Sequence, residues 1–173
     1  MVASIPVRSK VLVMSVVAAA LLGSACGGPT PTTATASPTP SPEASPSPSP
    51  VTTTVTIAVG THAGLGKIMV DGTGKTVYLF AEDTGQDSTC YTYCARFWPP
   101  VLTAGAPRAG AGARAALLGT TTRTDGMTQV TYSGHPLYYF YVDSPGDANG
   151  QGINGFGALW WVVSPSGAAV TTK

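Results

Sequence analysis

From residue 56 onward the apolar side chains recur with a period of two, the spacing that the alternating faces of a strand require. In "TVYLFAED", residues 76–83, Tyr78 and Phe80 fall on one face and Val77, Leu79 and Ala81 on the other. The alternation returns in "PLYYFYVD", residues 136–143, with Tyr138, Phe140 and Val142 opposed to Leu137, Tyr139 and Tyr141. Both faces are apolar or aromatic, so these segments read as central strands covered on both sides. Each follows a candidate strand and turn, "KIMVDGTG" in one case and "TQVTYSG" in the other. No segment here sustains a helical apolar period, and the expected fold is all-β, a compact sandwich or barrel-like domain.

The two segments are copies. Aligned sixty positions apart, Gly74 meets Gly134, Tyr78 meets Tyr138, Phe80 meets Phe140 and Asp83 meets Asp143. A Cys-bearing or Gly-rich loop and then tryptophan follow each copy: Trp98 in the first, Trp160 and Trp161 in the second. The pattern predicts two related β-repeats, about residues 60–103 and 117–168, within one domain of residues 56–173. The Gly- and Ala-rich stretch at 104–119 reads as their connector. Each Asp lies five residues after its Tyr, an odd separation that points the two side chains apart in a regular strand. Each also opens a turn, "DTG" or "DSPG", where a carboxylate accepts backbone N–H bonds. The favoured reading is Tyr and Phe in the core with Asp fixing a turn, against a catalytic Tyr–Asp pair.

The N-terminal 25 residues have a different pattern. Arg8 and Lys10 precede an apolar run, "VLVMSVVAAALLG", and the small residues Ser24 and Ala25 precede Cys26. A basic start, a short apolar run and small residues at its end form an export signal, too short to remain as a spanning helix. The end of that run resembles the lipobox of bacterial lipoproteins, with Cys26 as the lipidated residue, although Gly23 stands where leucine is usual. Residues 26–55 then form a linker whose core, 27–54, holds eight of the fifteen prolines, one charge and no aromatic residue. Such a composition cannot bury enough apolar surface to order itself, and a disordered, extended, polyproline-like tether is expected.

Charge and cysteine content narrow the function. Without the signal's Arg8 and Lys10, the nine Lys and Arg become seven, against eight Asp and Glu. A near-neutral chain with no basic run argues against nucleic acid as a partner. Three cysteines are odd for an exported chain, but assigning Cys26 to lipid leaves Cys90 and Cys94 as a pair in an oxidising compartment. A disulfide between them requires the intervening loop to coil, because an extended strand would hold the Cα atoms too far apart.

Two ion chemistries compete with this structural reading. Cys90 and Cys94 with His62 or His135, and with Met69 and Met127 as thioethers, offer soft ligands for copper. Asp143, Asp147 and Asn149 offer oxygens to calcium, but Ala158 occupies the place of the bidentate glutamate that a calcium loop needs. No cofactor is required by the sequence. Catalysis is not expected: there is no Gly-x-Ser-x-Gly, no phosphate-cradling loop and no His-Glu-x-x-His.

The pattern Tyr-x-Phe-x-x-Asp, occurring twice downstream of a lipobox, with "CYTYCARFWPP" after one copy and "PGDANGQGINGFGALWWVVSPSG" after the other, resembles the bacterial secreted-repeat lipoproteins of unknown function. The resemblance covers about residues 60–168 and implies no activity. The Cys90–Cys94 spacing of three residues, "YTY", lacks glycine and departs from it. Together these features predict a lipoprotein anchored on the extracytoplasmic side of the cell membrane, a non-catalytic binding or structural module. Its expected partners are the membrane, through the lipid, and an envelope protein or wall polymer. The alternative is a metal-binding or redox protein using the cysteine pair or the acidic loop. A subset of the aromatic residues near those two loops could form a binding face.

Overall fold

The computed structural model describes residues 52–172, so the export signal, Cys26 and the proline-rich segment lie outside the described residues. In chain order the elements are β1 (Thr56–His62), β2 (Gly66–Asp71), β3 (Tyr78–Phe80), the short helix α1 (Tyr93–Phe97), β4 (Arg108–Ala109), β5 (Leu118–Thr122), β6 (Thr128–Tyr132), β7 (His135–Pro136), β8 (Asn154–Gly155) and β9 (Ala158–Val162). The fold is all-β as expected, but as three small sheets, β2-β1-β4, β3-β9-β8 and β5-β6-β7, joined by further backbone bridges.

Within each copy a local hairpin forms first in sequence: β1 pairs antiparallel with β2, and β5 with β6. The turns that follow need a left-handed residue. Gly74 and Gly134, aligned in the repeat, supply it with φ of +88° and +82°. The connector between copies is more ordered than its composition suggests, since β4 adds to β1 in parallel and Val59 N–H donates to Ala111 O at 2.8 Å. Thr53, placed in the linker by its composition, already accepts the Ala104 N–H at 3.1 Å.

The central strands belong to both copies. Tyr78 and Tyr138 face each other and exchange both backbone hydrogen bonds, at 2.8 and 2.9 Å. Outside them lie the tryptophan-bearing strands, each against the motif of the other copy. β9 of the second copy pairs with β3, Trp160 opposite Phe80. On the other side the 97–101 segment of the first copy bonds 137–141 of the second, with Tyr139 N–H donating to Pro99 O at 2.8 Å and Tyr141 N–H to Phe97 O at 3.0 Å. A local two-fold relationship thus runs between Tyr78 and Tyr138.

The alternation in the sequence places the core as anticipated. Tyr78, Phe80 and Tyr138 enter one buried cluster with Trp98 and Trp160. Val77, Leu79 and Leu137 enter a second, with Ile57, Met69 and Val130. The strands are covered on both sides, as doubly apolar segments must be. The alternation stops sooner than expected in the second copy: Tyr141 and Val142 are 53% and 50% exposed, because the chain turns away after Phe140.

Candidate functional site

The repeated motif is an interlock between the two copies. Tyr78 donates its hydroxyl to Asp143 Oδ2 at 2.5 Å, and Tyr138 donates to Asp83 Oδ2 at 2.6 Å. All four residues are buried. Strand parity does not extend to the aspartates, since β3 ends at Phe80 and turns at 81–82 and 141–142 separate each Asp from its Tyr. Each Asp instead crosses the local two-fold to the tyrosine of the other. Its second oxygen accepts backbone N–H, but from six residues on, closing the whole loop rather than the adjacent "DTG" or "DSPG" turn: Asp83 Oδ1 accepts Thr89 N–H and hydroxyl at 2.8 and 2.6 Å, and Asp143 Oδ1 accepts Asn149 N–H at 3.1 Å. Burial drives both phenols well above the usual tyrosine range, and the carboxylate each one meets, Asp143 or Asp83, drives them higher.

The phenylalanines interlock in the same sense. Phe80 stacks on Trp160 of the other copy with centroids 4.0 Å apart, Trp160 stacks on Trp98 at 4.0 Å, and Trp98 meets Phe140 at 4.5 Å. Each phenylalanine thus caps the tryptophan of the opposite copy. Such ring pairs contribute about 0.5–1.5 kcal/mol each beyond area burial.

Above this core the Cys loop builds a surface. Cys90 and Cys94 form a disulfide with Cα atoms 5.3 Å apart, because the chain coils into α1 just as so short a separation demands. Entry into α1 forces Thr92 to φ +47°, and across the groove Phe156 is held at φ +60°. Positive φ at residues with a Cβ is a strained conformation that persists only where neighbours impose it. The result is a ridge of exposed rings: Tyr93 is 62% and Phe156 42% exposed, with centroids 6.0 Å apart. On one side lies a depression of about 490 Å³ walled by Tyr91, Thr92 and Glu82. On the other lies one of about 270 Å³ walled by Phe97, Tyr141 and Ile153.

Comparison with known families bears directly on this architecture. The chain matches a family described as a secreted repeat of unknown function, over residues 61–102 and again over 119–164. It belongs to that secreted-repeat family. No curated protein and no solved structure matches it. The two matched segments coincide with the two interlocked copies, so the secreted repeat is a unit whose motif is completed by its neighbour.

The residues considered as ion ligands are dispersed in this secreted-repeat fold. Among the described residues, no group of three or more His, Cys, Asp and Glu comes together. The sulfurs of Cys90 and Cys94 are joined to each other. Met69 is fully buried in the aliphatic cluster. His62 and His135 each bury an Nδ1 that has no hydrogen-bond partner. The oxygen ligands suggested for calcium point to different tasks: Asp143 serves Tyr78 and the Asn149 amide, while Asp147 Oδ2 accepts Ser144 N–H at 3.0 Å.

One buried residue gave no signal in the sequence. Arg123 is 3% exposed. Its guanidinium donates to Ser88 Oγ at 2.8 Å, Gln129 Oε1 at 2.7 Å and Cys90 O at 3.0 Å, lies over the Tyr91 ring, and pairs with Asp125 at 3.2 Å. Ser88 in turn donates its hydroxyl to the Tyr138 oxygen at 2.8 Å, since the single Tyr138 proton goes to Asp83. Arg123 therefore ties the disulfide loop to the interlock beneath it. Five donors in a fixed fork are what allow one side chain to serve so many acceptors.

Proposed function

We propose that this secreted repeat is a lipid-anchored, extracytoplasmic and non-catalytic module that offers its aromatic groove to a component of the cell envelope. The observation that carries this reading is the contrast between the buried motif and the surface above it. The Tyr–Asp pairs are buried and hydrogen-bonded within the fold, with phenols shifted away from the range useful for proton transfer near neutral pH. The rings of Tyr93, Tyr141 and Phe156, by contrast, are exposed side by side on a strained and disulfide-pinned support. Clustered exposed aromatics of this kind supply most of the free energy at binding surfaces.

Anchoring follows from the export signal and Cys26, and the proline-rich segment gives the domain its reach from the membrane. Isolated envelopes incubated with the full-length chain test the reading. Saturable binding that resists chelator and is weakened by Tyr93→Ser with Tyr141→Ser is expected. Its loss after protease treatment of the envelope would identify a protein, and after glycan hydrolase treatment the wall polymer. Binding that never saturates would overturn the reading. For the anchor, Cys26→Ser is expected to move the chain out of the membrane fraction.

A further inference from the structure

We propose that the larger depression beside the aromatic ridge is a site for a linear primary alkylammonium group, presented in many copies by an amine-bearing polymer of the cell envelope. This rests on the reading of the groove as an envelope-binding face and names the chemical group it takes.

Glu82 is an uncommitted charge. It is exposed, and it is the one charged side chain on the wall of the depression. Among the described residues, Asp71, Asp83, Asp125, Asp143 and Asp147 all accept hydrogen bonds within the fold, whereas no hydrogen bond or salt bridge engages the Glu82 carboxylate. Asp87, the other described acid without such a bond, borders neither depression. Glu82 therefore serves no internal partner and gives the aromatic wall a negative sign.

The rings around it complete a cation site. Phe80, Tyr91, Tyr93 and Phe156 border the same depression. The face of an aromatic ring is negative and attracts an ammonium or guanidinium held within about 6 Å of its centroid. The fold already uses Tyr91 in this way, with the Arg123 guanidinium 4.3 Å from its centroid. That cation is buried and paired with Asp125, so Tyr93 and Phe156, both exposed, are the rings left for a ligand. Their planes are inclined at 67°, two walls of a corner instead of a parallel slot.

The walls also select among cations. A quaternary ammonium needs no acceptor, but a primary one carries three N–H donors that must each find an oxygen. Thr89 and Thr92 border the depression with Glu82, and the Thr89 proton is already directed at Asp83 Oδ1 at 2.6 Å, which leaves its oxygen to accept. A lysine-like chain lays its methylenes on apolar surface and keeps its charged head on polar atoms, and this depression offers both kinds of surface. Scale favours a polymer over a protein as the source. A stable protein partner buries about 800 Å² on each side, whereas a depression of about 490 Å³ has the size of a small-ligand site. A single ammonium held so openly binds weakly, and copies anchored in one membrane would engage a polymer that repeats the group with the gain of avidity.

The test has two arms. In the first, the full-length chain labelled for NMR is titrated with n-butylammonium chloride and, separately, with 1-butanol, which matches it in size without the charge. Shifts centred on Glu82, Tyr93 and Phe156 should saturate at a cation concentration at least about fivefold lower than for the alcohol. Glu82→Gln should abolish that preference and leave the unfolding curve unchanged. An equal response to the two probes, or a preference that survives Glu82→Gln, would overturn the site, and the envelope-binding assay would still decide the wider reading. In the second arm, protease-treated envelopes are offered to the chain before and after acetylation of their amines. Binding that persists through protease and is lost on acetylation is expected. Binding that survives acetylation would overturn the proposal, and binding lost to protease would overturn the polymer as its source. The cation preference without any binding to untreated envelopes would remove the envelope reading and the polymer with it, and uphold the ammonium site alone.

Discussion

Tyr78 gives its hydroxyl to Asp143, a residue 65 positions away, while Asp83 in its own copy accepts from Tyr138, 55 positions away. The motif that defines the repeat is therefore a contact between repeats. A thermodynamic cycle distinguishes this from a contact inside one copy. Tyr78→Phe should cost about 2 kcal/mol, because it leaves a buried carboxylate oxygen without its donor. Combined with Asp143→Asn it should show a coupling of at least about 1 kcal/mol, whereas with Asp83→Asn the effects should add to within about 0.5 kcal/mol. Denaturant unfolding of the three single and two double variants measures both.

The same tyrosines set the alkaline limit of stability. The pKa values of Tyr78 and Tyr138 are raised in the folded state, chiefly by burial and then by the facing carboxylates, and that of Tyr139 is raised by burial and Asp71. A group with a raised folded pKa holds its proton in the native state while the unfolded chain releases it. Its contribution is complete below the unfolded value near pH 10 and is lost as pH climbs beyond it. Stability should be level up to about pH 9 and then fall, approaching roughly 3 kcal/mol per pH unit from the two buried phenols. Absorbance of tyrosinate should show these residues ionising only as the protein unfolds.

Removing the disulfide tests how the groove is supported. With Cys90 and Cys94 both serine, stability should fall by about 2 kcal/mol on the loop-entropy account. Hydrogen exchange should rise at the Cys94 and Trp98 amides, whose bonds to Tyr91 O and Cys94 O hold α1, and remain slow at Tyr78 and Tyr138.

Arg123→Lys should be costly for a buried position of unchanged charge. Lysine cannot reproduce the fork that serves Ser88, Gln129 and Cys90 O, and acceptors left unpaired in the interior cost about 1–3 kcal/mol. A drop of roughly 3 kcal/mol is expected from thermal or denaturant unfolding.

Tyr93→Ser and Tyr141→Ser should behave in the opposite way. Both rings are more than half exposed, so each change should alter stability by less than about 0.5 kcal/mol. Unfolding curves matching those of the native chain, together with weakened envelope binding, would separate the binding surface from the scaffold.

Much of this fold was legible because strand parity is local. The faces of Tyr78, Phe80, Val77 and Leu79, the glycine turns and the need for Cys90 and Cys94 to coil all follow from neighbours in the chain. Parity did not decide the aspartates, because β3 ends at Phe80 and a turn at 81–82 precedes Asp83. It could not show where each would go, since that depends on how strands of different copies register. Arg123 was illegible for a related reason: an arginine beside a turn normally faces water, and only the convergence of Ser88, Gln129 and Cys90 O makes burial tolerable. The groove needed Phe156 in a backbone conformation that its residue type disfavours, so composition near the loops indicated a face without its shape.

Because every Tyr–Asp and Phe–Trp contact spans the two copies, one copy in isolation would hold half of each bond and an open sheet edge. Such a unit could complete itself only by meeting an identical unit about a true two-fold axis. The present chain has the form of that symmetric dimer written as one polypeptide, and chains of this architecture are expected to add or lose repeats two at a time.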